Sequence, residues 1–168
     1  KQVPDKNSSL SIAENQRSIK ENNITWISNE SDNYALEEAL IMKETYGGEV
    51  VVCTLGNESA GQVLKDAMAK GADRSIFISD SKFNSLDILS LSKVFAHSLK
   101  DENFDIIFSG LQSDDMGNSQ LGLLLAEHLN MSHASLVMGT KVENENKIKV
   151  KRELENGWFQ WTTLSLPA

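Results

Sequence analysis

Cysteine is almost absent: Cys53 is the one cysteine in 168 residues, and it sits inside an apolar run. A single sulfur builds neither a disulfide framework nor a thiolate metal site, and a reducing compartment is the natural setting. Positive charge is also short, with 16 Lys and Arg against 24 Asp and Glu and a formal charge of −8. That balance repels a phosphate backbone, and no window gathers Lys or Arg with interleaved aromatics, so nucleic acid is not an expected partner. No apolar stretch approaches the ~20 residues of a membrane helix, and the N-terminus lacks a charged-then-apolar signal pattern. The expected location is therefore cytoplasmic or an equivalent reducing matrix, without membrane insertion.

Catalytic patterns are missing as well. No serine lies in a nucleophile elbow, and Cys53 has no local base. His97, His128 and His133 fall in separate elements without a metal-ligand partner at helical spacing. Glu37 and Glu38 lie on a polar helix face, where solvation accounts for them. No side chain is expected to act as acid, base or nucleophile, and no metal site is expected.

What is present is ordinary globular material, 40% apolar and 24% charged, at a length that fits one domain over 1–168 with a real core. Residues 8 to 28 alternate polar and apolar positions around an Asn/Glu/Gln-rich centre, which predicts a small hairpin-like excursion. Ser31 or Asp32 can then cap a helix with Leu36, Ala39 and Leu40 inward and Gly47-Gly48 as the stop. Val50 to Cys53 reads as a buried parallel strand. A turn from Leu55 to Ser59 leads into a helix carrying Ala60, Val63, Leu64, Ala67 and Met68, ended by Gly71.

The unit repeats with a strand at 76–78, a helix over 85–100, a strand at 104–108 and a helix over 118–130. Strands alternating with helices at this pitch predict an α/β fold: a parallel sheet with helices on both faces. After 134 the period changes to two. Ile148, Val150, Arg152 and Leu154 share one face, Lys147, Lys149, Lys151 and Glu153 the other, and 158–166 supplies another strand. This predicts a small antiparallel hairpin appendix.

Ligands of open parallel sheets bind beyond the C-terminal strand ends. The loop after 104–108 is the more informative: Gly110, Gly117 and Gly122 permit close approach or positive φ, while Ser113, Asn118, Ser119 and Gln120 present donors beside a helix start. That combination suits a phosphate. Asp114 and Asp115 only accept hydrogen bonds, so they fit a ribose hydroxyl or an adenine amine better. Turn and cap chemistry alone also enriches such loops in these residues. Its length exceeds the usual connection of about 2 to 6 residues, which favours ligand binding. The spacing is neither that of the Lys-bearing phosphate loop nor the dinucleotide fingerprint. Arg152 interrupts an apolar row, either to face a partner or to pack its stem with a wet head.

Several segments together resemble a family. Lys1-Gln2-Val3-Pro4-Asp5, Asn33-Tyr34-Ala35-Leu36-Glu37-Glu38-Ala39-Leu40 with Lys43-Glu44, and Met68-Ala69-Lys70-Gly71-Ala72-Asp73-Arg74 look like the β subunit of electron transfer flavoprotein. The Gly110–Gly122 loop and the run from Lys149 through Gly157 to Leu166-Pro167-Ala168 fit in the same order. The resemblance implies an adenine nucleotide α-hydrolase-like, Rossmann-like fold that holds AMP, or a second FAD. It also implies an α-subunit partner holding most contacts to a redox-active FAD. Electrons would pass from acyl-CoA or other dehydrogenases to a quinone oxidoreductase or another acceptor.

Carried over by position, the nucleotide contacts are Asn29, Ser31 and Asp32, Leu55, and in the loop Gly110, Gln112, Ser113, Asp114, Asp115, Asn118, Ser119, Gln120 and Leu121, with Gly122 following. Arg152 and Glu153 are the residues expected at the α-subunit interface, since the family's hairpin lies near it. Where members usually show Asn-Pro the chain has Asn29-Glu30, and where many show Asp-Gly-Asp-Thr it has Asp115-Met116-Gly117-Asn118. The family has an apolar strand before the position of Lys1 and a recognition loop and wrapping arm after that of Ala168. The expectation is thus a β subunit truncated at both ends. A stand-alone ATP- or AMP-binding module of the universal-stress type shares the general architecture and would instead be a flavin-free homodimer. It places a Gly-rich phosphate loop before its last helix, which this chain lacks.

Overall fold

In the computed structural model, which describes residues 1–80, 83 and 86–168, two short strands begin the chain. β1 (Gln2–Pro4) pairs antiparallel with β2 (Trp26–Ser28), setting the fully buried Val3 opposite Ile27. Between them lies the expected excursion, bridged at Ile12 and Ile19. Asn15 turns it: its Oδ1 accepts from the N–H groups of Arg17 and Ser18 at 3.0 and 3.1 Å, a side chain standing in for a backbone turn.

Helix α1 (Glu30–Tyr46) follows at once. Its N-cap is Asn29, whose non-helical φ/ψ of −57/133 puts the helix start two residues earlier than a Ser31 cap and three earlier than an Asp32 cap. Those two residues lie in the first turn. Gly47, at φ 79, ends the helix. None of its residues is fully buried, because Leu36, Ala39 and Leu40 are only half covered. Solvation holds for Glu37 but not for Glu38, which accepts a hydrogen bond from Thr140 Oγ1 and is half-buried by it.

The parallel element is a two-stranded sheet. β3 (Val51–Leu55) and β4 (Arg74–Ile78) pair from Val51 opposite Arg74 to Leu55 opposite Ile78. They are linked by α2 (Gly61–Lys70), which buries Val63 and Leu64 and stops at Gly71, φ 123, where a side chain would be strained. Cys53 and Ile76 pack with α3 (Ile88–Leu99) and α4 (Leu121–Leu129), around a core of Ala96, Leu99 and Leu125. Helix α3 starts later than expected because Asp87 caps it, accepting from Ser90 N–H at 2.7 Å; position 85 of the expected helix lies outside the described residues. Helix α4 starts at Leu121 rather than 118 because Gly117 and Ser119 are left-handed, at φ 61 and 55.

The remainder of the expected parallel sheet takes another form. Segment 104–108 joins no ladder with β3 or β4. Its sheet-like bonds go to Ala168, whose N–H donates to Asp105 O at 3.0 Å and whose carbonyl accepts from Ile107 N–H at 2.8 Å. Two bonds flanking Ile106 in this way are the pattern of a parallel bridge. A strand exists only through its neighbour, so residue pattern alone did not place this one.

The antiparallel appendix has three strands: β5 (Val137–Asn144), β6 (Lys147–Glu153) and β7 (Phe159–Ser165). Ile148 and Val150 are buried while Lys147, Lys149 and Lys151 alternate onto the other face, with Trp161 opposite Lys151 and the Phe159 ring centroid 4.1 Å from its Nζ. Leu154 leaves the apolar row: β6 ends at Glu153, and the chain turns through Asn156 (φ 58) and Gly157 (φ 77), leaving Leu154 exposed. No helix is long and apolar enough to cross a membrane among the described residues.

Candidate functional site

The start of α1 and the Gly110–Gly122 loop meet through side chains of one and backbone of the other. Asn29 Nδ2 donates to Gln112 O and to Ser31 Oγ, both at 2.9 Å, and its Oδ1 accepts from Asp114 N–H at 2.9 Å. Ser31 Oγ also donates to Gln112 O, at 2.5 Å, and Asp32 Oδ1 accepts from Gly110 N–H at 2.9 Å. The Asn29 side chain makes no cap bond to α1; its amide is taken up by Ser31 and by the loop instead.

Gly110 is required by this closeness. A Cβ there would lie 2.5 Å from Asp32 Oδ1 and Ser31 Oγ and 2.7 Å from Asp32 N. Gly122 is required by another neighbour, since its Cβ would overlap Ser109 Oγ. Within the loop, Gly117 N–H closes a turn onto Ser113 O at 2.9 Å, and Ser119 Oγ donates to Gln112 Oε1 at 3.0 Å.

Charge around the loop is mostly negative and partly answered. Lys1 Nζ lies 2.5 and 2.7 Å from the two oxygens of Asp115 and 3.2 Å from Ser113 Oγ. Burial pushes the Asp115 carboxyl up, but the hydrogen bonds from Lys1 and Ser113 outweigh it and hold the group below its ordinary value. Lys1 was not singled out by sequence reasoning, and only its place beside an acidic loop in space marks it.

On the outer side, Asn118 and Gln120 are exposed, and their amides have no partner among the described residues. They stand beside the first turn of α4, where backbone N–H groups lack intrahelical acceptors. Leu121 begins that helix, half-buried. Such a donor set suits an anionic or hydroxyl-rich ligand, while Asp114 remains exposed as an acceptor.

Leu55, at the C-terminal end of β3, takes no part in this hydrogen-bond network. The turn beyond it is held by Gln2, whose Nε2 donates to Ser59 O while Ser59 Oγ donates back to its Oε1, each at 3.0 Å. Arg152 is anchored inside the chain: Nε donates to Ser135 O at 3.0 Å. Glu153 is exposed beside it. A cavity of about 280 Å³ lies between the loop, α4 and the inner face of the appendix. It shares Gly110, Leu111, Ser119 and Gly122 with the loop but not Asn29, Ser31, Asp32 or Leu55, so it is a separate, largely apolar space.

Residues 17–168 match the family described as Electron transfer flavoprotein domain. The chain belongs to that family. An electron transfer flavoprotein subunit beta from Clostridium acetobutylicum is 33% identical over 158 residues, covering 94% of this chain and 60% of the relative. The subunit beta of Methylophilus methylotrophus is 32% identical, covering 94% of this chain and 61% of the relative. A protein of Acetobacterium woodii named as the CarD subunit of a caffeyl-CoA reductase–Etf complex is 34% identical, with 94% and 60% covered. The electron transfer flavoprotein resemblance read from the sequence, to its β subunits, thus holds over most of the chain, which spans about three fifths of the length of these relatives.

Proposed function

We propose that this chain is the adenine-nucleotide-holding part of an electron transfer flavoprotein β subunit. The observation that carries the reading is the Gly110–Gly122 loop fastened to the start of α1, in a chain whose matched relatives are β subunits. The site is built on Asn29, Ser31 and Asp32, Leu55 at its edge, and the loop from Gly110 through Gln112, Ser113, Asp114, Asp115, Asn118, Ser119 and Gln120 to Leu121 and Gly122. Free amides at Asn118 and Gln120 and the start of α4 fit a phosphate, and Asp114 fits a ribose hydroxyl or adenine amine. The bound group is AMP or the adenylate half of a second FAD.

In this reading an α subunit carries a further FAD, and the flavin supplies the redox chemistry when bound. This chain's own residues bind and orient; none donates or accepts a proton in the transfer. Dehydrogenases of the acyl-CoA class or others are the donors, and a quinone oxidoreductase or another carrier the acceptor. The α subunit meets the appendix near Arg152 and Glu153. The full-length protein is a cytoplasmic heterodimer with a complete parallel sheet covered by helices.

The test is to co-express the full-length chain with its partner subunit, purify the complex and identify the released nucleotides. A yellow heterodimer releasing FAD with AMP, or FAD alone at two per complex, is the expected result. A colourless homodimer binding ATP alone would replace the reading with a universal-stress-type module.

A further inference from the structure

We infer that Asn29 is a positioning residue that presets the loop for its ligand rather than a ligand contact, with Ser31 and Asp32 sharing the task. The inference rests on the adenylate site proposed above. Asn29 is 1% exposed, so a ligand cannot reach its amide without opening the fold. Its bonding capacity is also engaged inside the chain. A primary amide has two N–H donors and one carbonyl; both donors are used, on Gln112 O and Ser31 Oγ, and the carbonyl holds Asp114 N–H.

A capping role does not account for the residue, because its side chain makes no bond to the exposed end of α1. What it bonds is backbone on the far side of the site. Together with Asp32 on Gly110 N–H and Ser31 on Gln112 O, it fixes positions 110, 112 and 114 of one loop from one helix start. Recognition then falls to the exposed side chains further along, Asn118 and Gln120. A loop already ordered does not lose that freedom when the ligand arrives, so the clamp raises affinity without touching the ligand. Removing the amide frees Asp114 N–H and leaves Gln112 O one donor short, and the segment loosens.

The test compares wild type, Asn29→Ala and Asn29→Ser in the full-length chain with its partner subunit, stripped of nucleotide. Serine is accepted at a helix start, which keeps one variant folded. AMP is titrated by calorimetry, and amide exchange over 110–114 is followed without nucleotide. In both variants AMP affinity is expected to fall about tenfold or more. The thermal midpoint falls with the lost bonds, but exchange at Asp114 should accelerate well beyond what that fall accounts for, while exchange in α3 and α4 changes only with it. A merely structural role would raise exchange throughout in step with the midpoint, leaving the affinity of the folded fraction intact, and would overturn the inference. So would movement of either affinity or Asp114 exchange without the other, or of neither, with the adenylate site still standing. Failure of wild type to bind AMP or FAD overturns the site itself, and the inference with it.

Discussion

Glu38 in α1 accepts a hydrogen bond from Thr140 Oγ1 in β5, tying the helix that begins at the candidate site to the antiparallel appendix. A charged acceptor in a half-buried place makes this one of the stronger side-chain bonds of the molecule. Glu38→Ala and Thr140→Val should each lower stability by about 1–3 kcal/mol. Because both remove the same bond, the double variant should cost little more than either single one. Chemical denaturation of the four proteins checks this, and simple additivity would show that the bond carries no coupling.

Two glycines of the loop should respond differently to a methyl group. At Gly110 the obstacle includes the backbone nitrogen of Asp32, so Gly110→Ala should cost at least ~2 kcal/mol and resist rescue by side-chain changes. At Gly122 the close obstacle is Ser109 Oγ; Ser109 Cβ lies at an ordinary 3.5 Å. Ser109→Ala should therefore restore most of the stability lost in Gly122→Ala. Thermal melts of both pairs would expose the error if Gly122→Ala were unrescued.

Thr54 is buried, and its hydroxyl is the one buried side-chain polar atom without a hydrogen bond among the described residues. Replacing it by the isosteric valine removes an unpaired polar group without opening a void. Thr54→Val is expected to stabilise by about 1 kcal/mol, seen as a raised denaturation midpoint with unchanged cooperativity.

Asp73 receives Lys43 Nζ at 2.6 Å and Val50 N–H at 2.8 Å, and these bonds, the lysine's first, hold its carboxyl below the usual 3.8. A carboxyl lowered on folding adds stability above its unfolded pKa, and that stability is lost as pH falls through the folded value. Stability should decline from the ordinary carboxylate range downward, and Asp73→Asn should flatten that acid limb while lowering the plateau at neutral pH. Denaturation midpoints across the acid range provide the measurement.

Burial pushes the Cys53 thiol up to about 12. At pH 8 the native protein should resist alkylation by iodoacetamide, and the denatured protein should react fully. Rapid labelling of the folded state, read by mass spectrometry, would contradict the half-buried placement of Cys53 against the α3–α4 core.

Much of this was legible in the residues. The alternation through Ile148 and Val150 marked the appendix, and the glycine spacing marked the loop. What escaped depends on partners distant along the chain. The true cap position of α1 is Asn29, a cap residue as good as Ser31 or Asp32 just beyond it, and its side chain is taken by Gln112 and Asp114, 83 and 85 positions away. The late start of α4 turns on Ser119 adopting a conformation usually left to glycine. Glu38 looked like a solvated charge because nothing local points to Thr140, which stands 102 positions away. Segment 104–108 had a strand's residues, but no local pattern says which neighbour will pair with it.

The bond from Asn29 to Gln112 spans 83 positions. A chain made from its N-terminus at a finite pace exposes the beginning of α1 long before Gln112 and Asp114 exist. Until they emerge, the Asn29 amide must be satisfied by water and the helix start stays open. Closure of this end is therefore among the later events of biogenesis, because contacts so far apart in sequence carry the greatest loop-closing cost.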